Sequence, residues 1–186
     1  MQKITDYTHL LISSHLEKGD YCVDATCGNG YDTLFLASLV GETGRVDAYD
    51  IQEQAINNAK ELTKEYHNIN FYLASHESIK IQNCKCVLFN LGFLPHGDKA
   101  ITTKEDTTLK AVKNLINQYE DNSVLQIYIV VYPGHDEGYK EHLALSLYLE
   151  QLDSAKYLVT KMIPFNQHNS PYLFIIQNKQ KSQNEK

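Results

Sequence analysis

"YCVDATCGNGYDTLFLASLV", residues 21–40, reads as a short apolar strand, a glycine-bearing turn and a helix in immediate succession. Residues 21–25 have the composition of a buried strand, and residues 31–40 that of a helix closed by Gly41. Between them Gly28 and Gly30 bracket Asn29. Glycines at such a turn reach positive φ and let a ligand approach the backbone closely. A strand that feeds a helix through so short a turn is the opening unit of a parallel α/β sheet.

The same alternation extends outward in both directions. Upstream, Ile4, Tyr7, Leu10, Leu11 and Leu16 recur at roughly helical spacing over residues 3–17. Downstream, strands are predicted over 45–51, 69–74, 84–91 and 123–132, with helices over 52–66, 104–119 and 137–152. Two strands, 155–163 and 172–178, then follow one another without a helix. The prediction is a Rossmann-like, doubly wound α/β sheet of seven strands. It is mostly parallel, with one antiparallel strand contributed by the closing hairpin. One domain spans residues 1–178, and 179–186 form a polar tail.

Composition limits the alternatives. The chain has 186 residues, 42% hydrophobic and 22% charged, in the ordinary range for a globular domain. No apolar run is long enough for a membrane span, and the start lacks the pattern of a secretory signal, so the expected compartment is the cytoplasm. The net charge of −6 argues against indiscriminate nucleic-acid binding. Arg45 is the sole arginine, so phosphate contacts would fall to lysines. Cys22, Cys27, Cys84 and Cys86 contain no Cys-x-x-Cys pair; they read as buried thiols, and no metal site is expected.

In an open parallel sheet, ligands bind beyond the carboxyl ends of the strands, where strand order reverses. Asp24 ends the first strand there, and Asp50 ends the second, 26 residues later. An acid in the second position accepts from ribose hydroxyls. The third glycine of a dinucleotide fingerprint would fall at Thr33 and is missing. An anion ahead of the turn repels a pyrophosphate and suits a cation, which points to S-adenosylmethionine. The plainer reading of Asp24 is a turn cap bonding neighbouring amides. After the third strand, Ser75 and His76 are placed to bond the adenine edge.

Four stretches, "DATCGNGYDT", "SHES", "FNLGFLPHGDKAITT" and "NQHNSPY", together with "YPGHDEG", carry a specific resemblance. In order and spacing over residues 3–178 the chain resembles the class I methyltransferases, and within them the family long labelled rRNA methylases. That family is now associated with tRNA (5-aminomethyl-2-thiouridine) methyltransferase activity (MnmM). The resemblance implies S-adenosylmethionine as cofactor and methylation of the aminomethyl nitrogen of a wobble uridine, hence a tRNA anticodon stem-loop as partner. The candidate cofactor set is Asp24, Thr26, Gly28, Asn29, Gly30, Asp32, Thr33, Asp50, Gln52, Ser75, His76, Asn90 and Gly92.

The amine nucleophile must arrive neutral, because an ammonium has no lone pair. Asn90, at the end of the fourth strand, offers a side-chain oxygen that accepts from that amine, and Gly92 lets the backbone come close. Phe93 and Leu94 offer an apolar wall, Asp98 a proton relay and Lys99 a phosphate contact. Asn166, Gln167, Asn169 and Tyr172 either line the substrate side, with Tyr172 offered as a ring for stacking on a base, or lock the closing hairpin. His135 is read as a substrate contact or proton acceptor, with a structural role as the plainer reading. Pairing two weak basic patches in a homodimer would help an acidic chain to hold RNA. The rival readings are an rRNA or small-molecule methyltransferase with the same cofactor, a nicotinamide-dependent oxidoreductase, and a module that binds the cofactor without chemistry.

Overall fold

The computed structural model describes residues 3–92, 105–118 and 124–179. Helix α1 (Ile4–Ser13) precedes β1 (Tyr21–Asp24), α2 (Tyr31–Val40), β2 (Arg45–Asp50), α3 (Glu53–Leu62) and β3 (Ile69–Leu73). Then come a 3-10 turn (His76–Ser78), β4 (Cys86–Asn90), α4 (Glu105–Asn117), β5 (Gln126–Val131), α5 (Asp136–Glu150), β6 (Tyr157–Met162) and β7 (Tyr172–Asn178).

The seven strands form one sheet in the order β3-β2-β1-β4-β5-β7-β6. Strands β1 to β5 pair in parallel. β7 runs antiparallel to both β5 and β6. The predicted hairpin is therefore present, and β7 is the single reversed strand. A parallel pair needs a long crossover and receives a helix, whereas β6 and β7 need only a loop. The chain builds outward from β1 to β3 and then returns to the other flank of β1. Order thus reverses between β1 and β4, which puts the tips of those two strands, Asp24 and Asn90, beside the switch point.

Burial follows from the layering. β1 is buried at every position, and β4 at all but its last, as strands covered on both faces must be. On one face Ile12 and Leu16, with Leu36, Ala37 and Val40 of α2, pack against Cys22, Cys86, Leu88 and Tyr128. On the other, Val112, Leu115 and Ile116 of α4 and Leu145 and Leu149 of α5 cover Val23, Val87, Phe89 and Ile127. All four cysteines are buried thiols outside any disulfide, as the composition implied. Among the described residues no helix is long and apolar enough to cross a membrane.

Several elements are shorter than their sequence patterns. α1 stops at Ser13 because Ser14 turns its hydroxyl onto the Leu11 carbonyl; Leu16 still reaches the core from the turn beyond. α3 stops at Leu62, where the Thr63 hydroxyl donates to the Ala59 carbonyl at 2.7 Å. The fourth strand starts at Cys86 and the fifth at Gln126, each two or three residues later than predicted.

Gly30, the N-cap of α2, has φ +88, and a Cβ there would lie 2.7 Å from the Cα and Cβ of Ala59 in α3. The second glycine of the turn is thus required by helix–helix packing as well as by backbone conformation. Gly30→Ala is expected to lower unfolding free energy by about 2–4 kcal/mol, combining left-handed strain with overpacking. Urea denaturation followed by far-UV circular dichroism measures it; an unchanged midpoint would refute this packing argument.

Candidate active site

The β1–α2 turn is organised from inside by Asp24. Its carboxylate has no solvent exposure and accepts from the Thr33 hydroxyl at 2.6 Å and the Thr26 amide at 3.1 Å. Thr33, also buried, further contacts the Cys27 thiol at 3.3 Å. Asp24 and Thr33 therefore lie beneath the turn rather than on its ligand face. The turn-cap arrangement offered as the plainer reading of Asp24 is thus present. Its charge acts through space. Burial first, and then the nearby Asp32 carboxylate, raise the Asp24 pKa well above the usual carboxylate range, although the Thr33 and Thr26 bonds oppose the rise.

Asp50 ties the turn to the second strand. Its two oxygens accept from the Gly28 amide at 2.9 Å and the Gln52 amide at 2.8 Å. Asn29 accepts at 2.9 Å from the side-chain amide of Asn58 in α3. Gly28 has φ +52, which the turn requires. Ile51, between Asp50 and Gln52, is 59% exposed, an apolar surface at the strand tip that periodicity did not mark.

The second centre is Asp32, in the first turn of α2. One oxygen meets His9 Nε2 at 2.6 Å, and the other accepts from the Asn90 side-chain amide at 2.8 Å. His9 lies flat on Phe35, with centroids 3.8 Å apart and planes 4° from parallel. A carboxylate accepts only, so Asn90 must present its NH2 to Asp32. Its Oδ1 then has no donor among the described residues. The Asn90 backbone amide donates to the Thr26 hydroxyl at 2.7 Å, which joins the β4 tip to the β1 turn. Tyr132 follows β5, and its ring approaches the place a Cβ on Gly92 would occupy to 3.9 Å. Burial, then Asp32, push its phenol up to about 12.

His9 and Tyr132 escaped the sequence reading. A histidine on an amphipathic helix carries no periodic signal; its aromatic neighbour Phe35, two elements away, gives none either.

Other predicted residues are spread more widely. Ser75 caps the 3-10 turn by accepting from the Glu77 amide. His76 turns inward, edge-on to Phe89, and burial lowers its pKa. His135 is the N-cap of α5, its Nδ1 accepting from the Gly138 amide at 3.0 Å. Tyr172 is 1% exposed, bonded through its hydroxyl to His142 and covered by the Lys161 ammonium 4.3 Å from its ring centre. A ring so enclosed does not stack on a base, so that role falls. Asn166, Gln167 and Asn169 are exposed on the β6–β7 loop. Phe93, Leu94, Asp98 and Lys99 lie outside the described residues. A groove of about 470 Å³ runs along β6 from Tyr157 to Lys161 beside the end of α5, and its lining includes neither Asp24 nor Asn90.

Two outcomes test this geometry. An acid whose folded pKa exceeds its unfolded value of about 4 costs stability once ionised, and the cost grows until the folded pKa is passed. Asp24→Asn is therefore expected to gain melting temperature relative to the parent between about pH 5 and about pH 8, read by differential scanning fluorimetry; a constant difference across that range would contradict it. His9→Ala should release Asp32 and Asn90 while His9→Gln, which can still donate, retains most of the parent's activity. Equal turnover in the two variants would remove His9 from the network.

Comparison with known proteins bears on what the site does. The family model described as "Putative rRNA methylase" matches residues 46–178. A tRNA (mnm(5)s(2)U34)-methyltransferase, chloroplastic, of Arabidopsis thaliana is 31% identical over 188 residues, covering 92% of this chain and 68% of the relative. The crystal structure of a "putative rRNA-methylase" from Clostridium thermocellum superposes with a TM-score of 0.86 at 35% identity, covering 96% of this chain and 98% of the other. A "putative methyltransferase" of Streptococcus mutans, solved in complex with SAH, gives 0.83 at 29% identity, with coverage of 96% and 99%. With the family model spanning β2 to β7 and the fold matching throughout, the chain belongs to the rRNA methylase family of α/β methyltransferases.

Proposed function

We propose that the chain transfers a methyl group from S-adenosylmethionine to the aminomethyl nitrogen of wobble 5-aminomethyl-2-thiouridine in tRNA. The observation that carries this reading is the Asn90 amide at the strand tip bordering the switch point, oriented by Asp32 so that its Oδ1 has no donor among the described residues. The activity named for the Arabidopsis relative supports the choice of nucleophile.

The residues present fit the donor. Asp24, Asp32 and Asp50 cluster closely enough that the latter two raise the pKa of the first, and such a field favours a ligand with a sulfonium and an ammonium and no phosphate. The remaining lone pairs of Asp50 accept from ribose hydroxyls, Ile51 offers its exposed side chain to the adenine, and Gly28 lets the turn close on the ligand. When bound, the donor supplies an electrophilic methyl whose bond to sulfur breaks as the amine lone pair forms the new bond. Asn90 Oδ1 accepts one amine N–H, which holds the lone pair toward the methyl and offers the amine no acid. The product nitrogen then loses its proton toward solvent, a relay that the sequence assigns to Asp98. Phe93 and Leu94 remain the proposed apolar wall and Lys99 the phosphate contact. One methyltransferase domain over residues 1–178, a homodimer and a cytoplasmic location complete the reading.

The decisive assay incubates the protein with labelled S-adenosylmethionine and tRNA from a strain lacking this gene, followed by nucleoside analysis. Label in 5-methylaminomethyl-2-thiouridine is expected; label in ribosomal RNA alone would favour the rRNA alternative and overturn the wobble assignment. Asn90→Ala should bind S-adenosylmethionine within about twofold of the parent by calorimetry and lose about 100-fold or more in kcat. Full turnover in that variant would exclude Asn90 from the mechanism.

A further inference from the structure

The β6–β7 hairpin differs in chemistry from the rest of the chain. From Ser154 to Asn184 the sequence contains Lys156, Lys161, Lys179 and Lys181 and no aspartate or glutamate, although the whole chain carries a net charge of −6. At the hairpin tip Phe165 is fully exposed, at 102% of its reference area. It is followed by the exposed Asn166, Gln167, His168 and Asn169. A phenylalanine left wholly in water forgoes about 1.5–3 kcal/mol of burial. Folding gains nothing from this placement.

The tip also stands on the correct edge of the sheet. Gly92, just past Asn90, neighbours the Tyr132 ring, and Gly134 lies 3.7 Å, measured from its Cβ position, from the Asn169 carbonyl. β4, β5 and β7 are successive strands, so the hairpin loop rises about 10 Å from the Asn90 tip. Asn169 holds φ +55, which fixes the return of the loop into β7. Below the tip, the Lys161 ammonium rests over the Tyr172 and Phe174 rings at 4.3 and 5.5 Å and has no carboxylate partner among the described residues.

An exposed aromatic, amide side chains beside it and cations without acids together make the physics of single-stranded nucleic-acid binding. Bases stack on the ring, amides read base edges and lysines meet phosphates. We infer that the Phe165–Asn169 loop is an RNA-reading element, in which Phe165 stacks on an unpaired base flanking the target nucleotide and Lys161 contacts the phosphate backbone. The inference rests on the proposed RNA substrate and adds a residue-level docking surface to it.

The test uses the full chain and a fluorescein-labelled anticodon stem-loop with an unmodified wobble uridine, read by fluorescence anisotropy across a salt series. Phe165→Ala and Phe165→Leu should weaken binding about tenfold or more, and Phe165→Trp should restore it, because stacking needs a ring rather than apolar bulk. In turnover the loss should fall on KM for tRNA, with S-adenosylmethionine affinity unchanged. Lys161→Gln should reduce the slope of log affinity against log salt by about 0.7, whereas Phe165→Ala leaves that slope as it was. Unchanged RNA affinity in Phe165→Ala overturns the inference. If that variant instead halves the molecular mass in light scattering while binding RNA as before, the ring is a contact between copies and the inference is again overturned. Ring-dependent RNA binding without wobble product would support the surface and sink only the substrate assignment. Failure of the parent to bind any RNA would sink both.

Discussion

A fully buried carboxylate governs the centre of this molecule. Taking Asp24 out of water is costly, and the fold offsets part of that cost with the Thr33 hydroxyl and the Thr26 amide. Those two bonds pin both ends of the turn that joins β1 to α2. The same turn presents Gly28 to Asp50 and brings Asp32 into reach of Asn90. Without the Asp24 anchor, neither the backbone of the β1–α2 turn nor the start of α2 would have a fixed position. The neighbouring Asp32 and Asp50 carboxylates add negative charge around the turn, while burial, which raises the Asp24 pKa, makes the Asp24 share of that field depend on pH.

Asp32 then converts that fixed position into orientation. A primary amide can present either end, and a carboxylate neighbour removes the choice. By bonding His9 with its other oxygen, Asp32 also brings α1 into the site, although α1 precedes the first strand and otherwise serves to cover the sheet. The stack of His9 on Phe35 fixes the imidazole plane, so the amide at the β4 tip is ultimately held by the packing of α1 on the same face of α2 that carries Asp32. Positioning of this kind is what a displacement reaction needs from a protein, since alignment supplies most of the gain.

Much of this was legible in the residues, for reasons that differ by element. The parallel core and the terminal hairpin follow from alternating strand and helix periods, and β7 matches its predicted limits at both ends. Gly28 and Gly30 were readable as turn glycines, but only the contact with Ala59 reveals that Gly30 makes room for α3. Asp24 was legible as the acid at the tip of β1, but a sequence does not tell which face of a turn a side chain takes, and the bonds to Thr26 and Thr33 place it beneath. Of the two readings of Tyr172 the structure leaves the one that locks the hairpin: at the start of a strand, its burial depends on the register with Val131 and on His142 from α5. His9 gave no signal, since its meaning arises from Asp32 alone.

On the proposed function, the arrangement also resolves an electrostatic conflict. A protein that holds a cationic donor needs acids, and one that holds RNA needs their absence. Here the acids Asp24, Asp32 and Asp50 gather at the β1 and β2 tips and the turn between them, while the acid-free hairpin stands beyond β5. From β1 to β7 is three strand steps, about 14 Å, which exceeds the screening length of about 8 Å at physiological salt. The two fields therefore coexist with little mutual cost. Asn90 sits on β4 between them, neutral and hydrogen-bonded to the acidic side, where a methyl from one field would meet an amine delivered from the other. An uncharged amide suits that boundary: a lysine there would repel the donor, and an aspartate would place a further anion beside Asp32 and stabilise the unreactive ammonium.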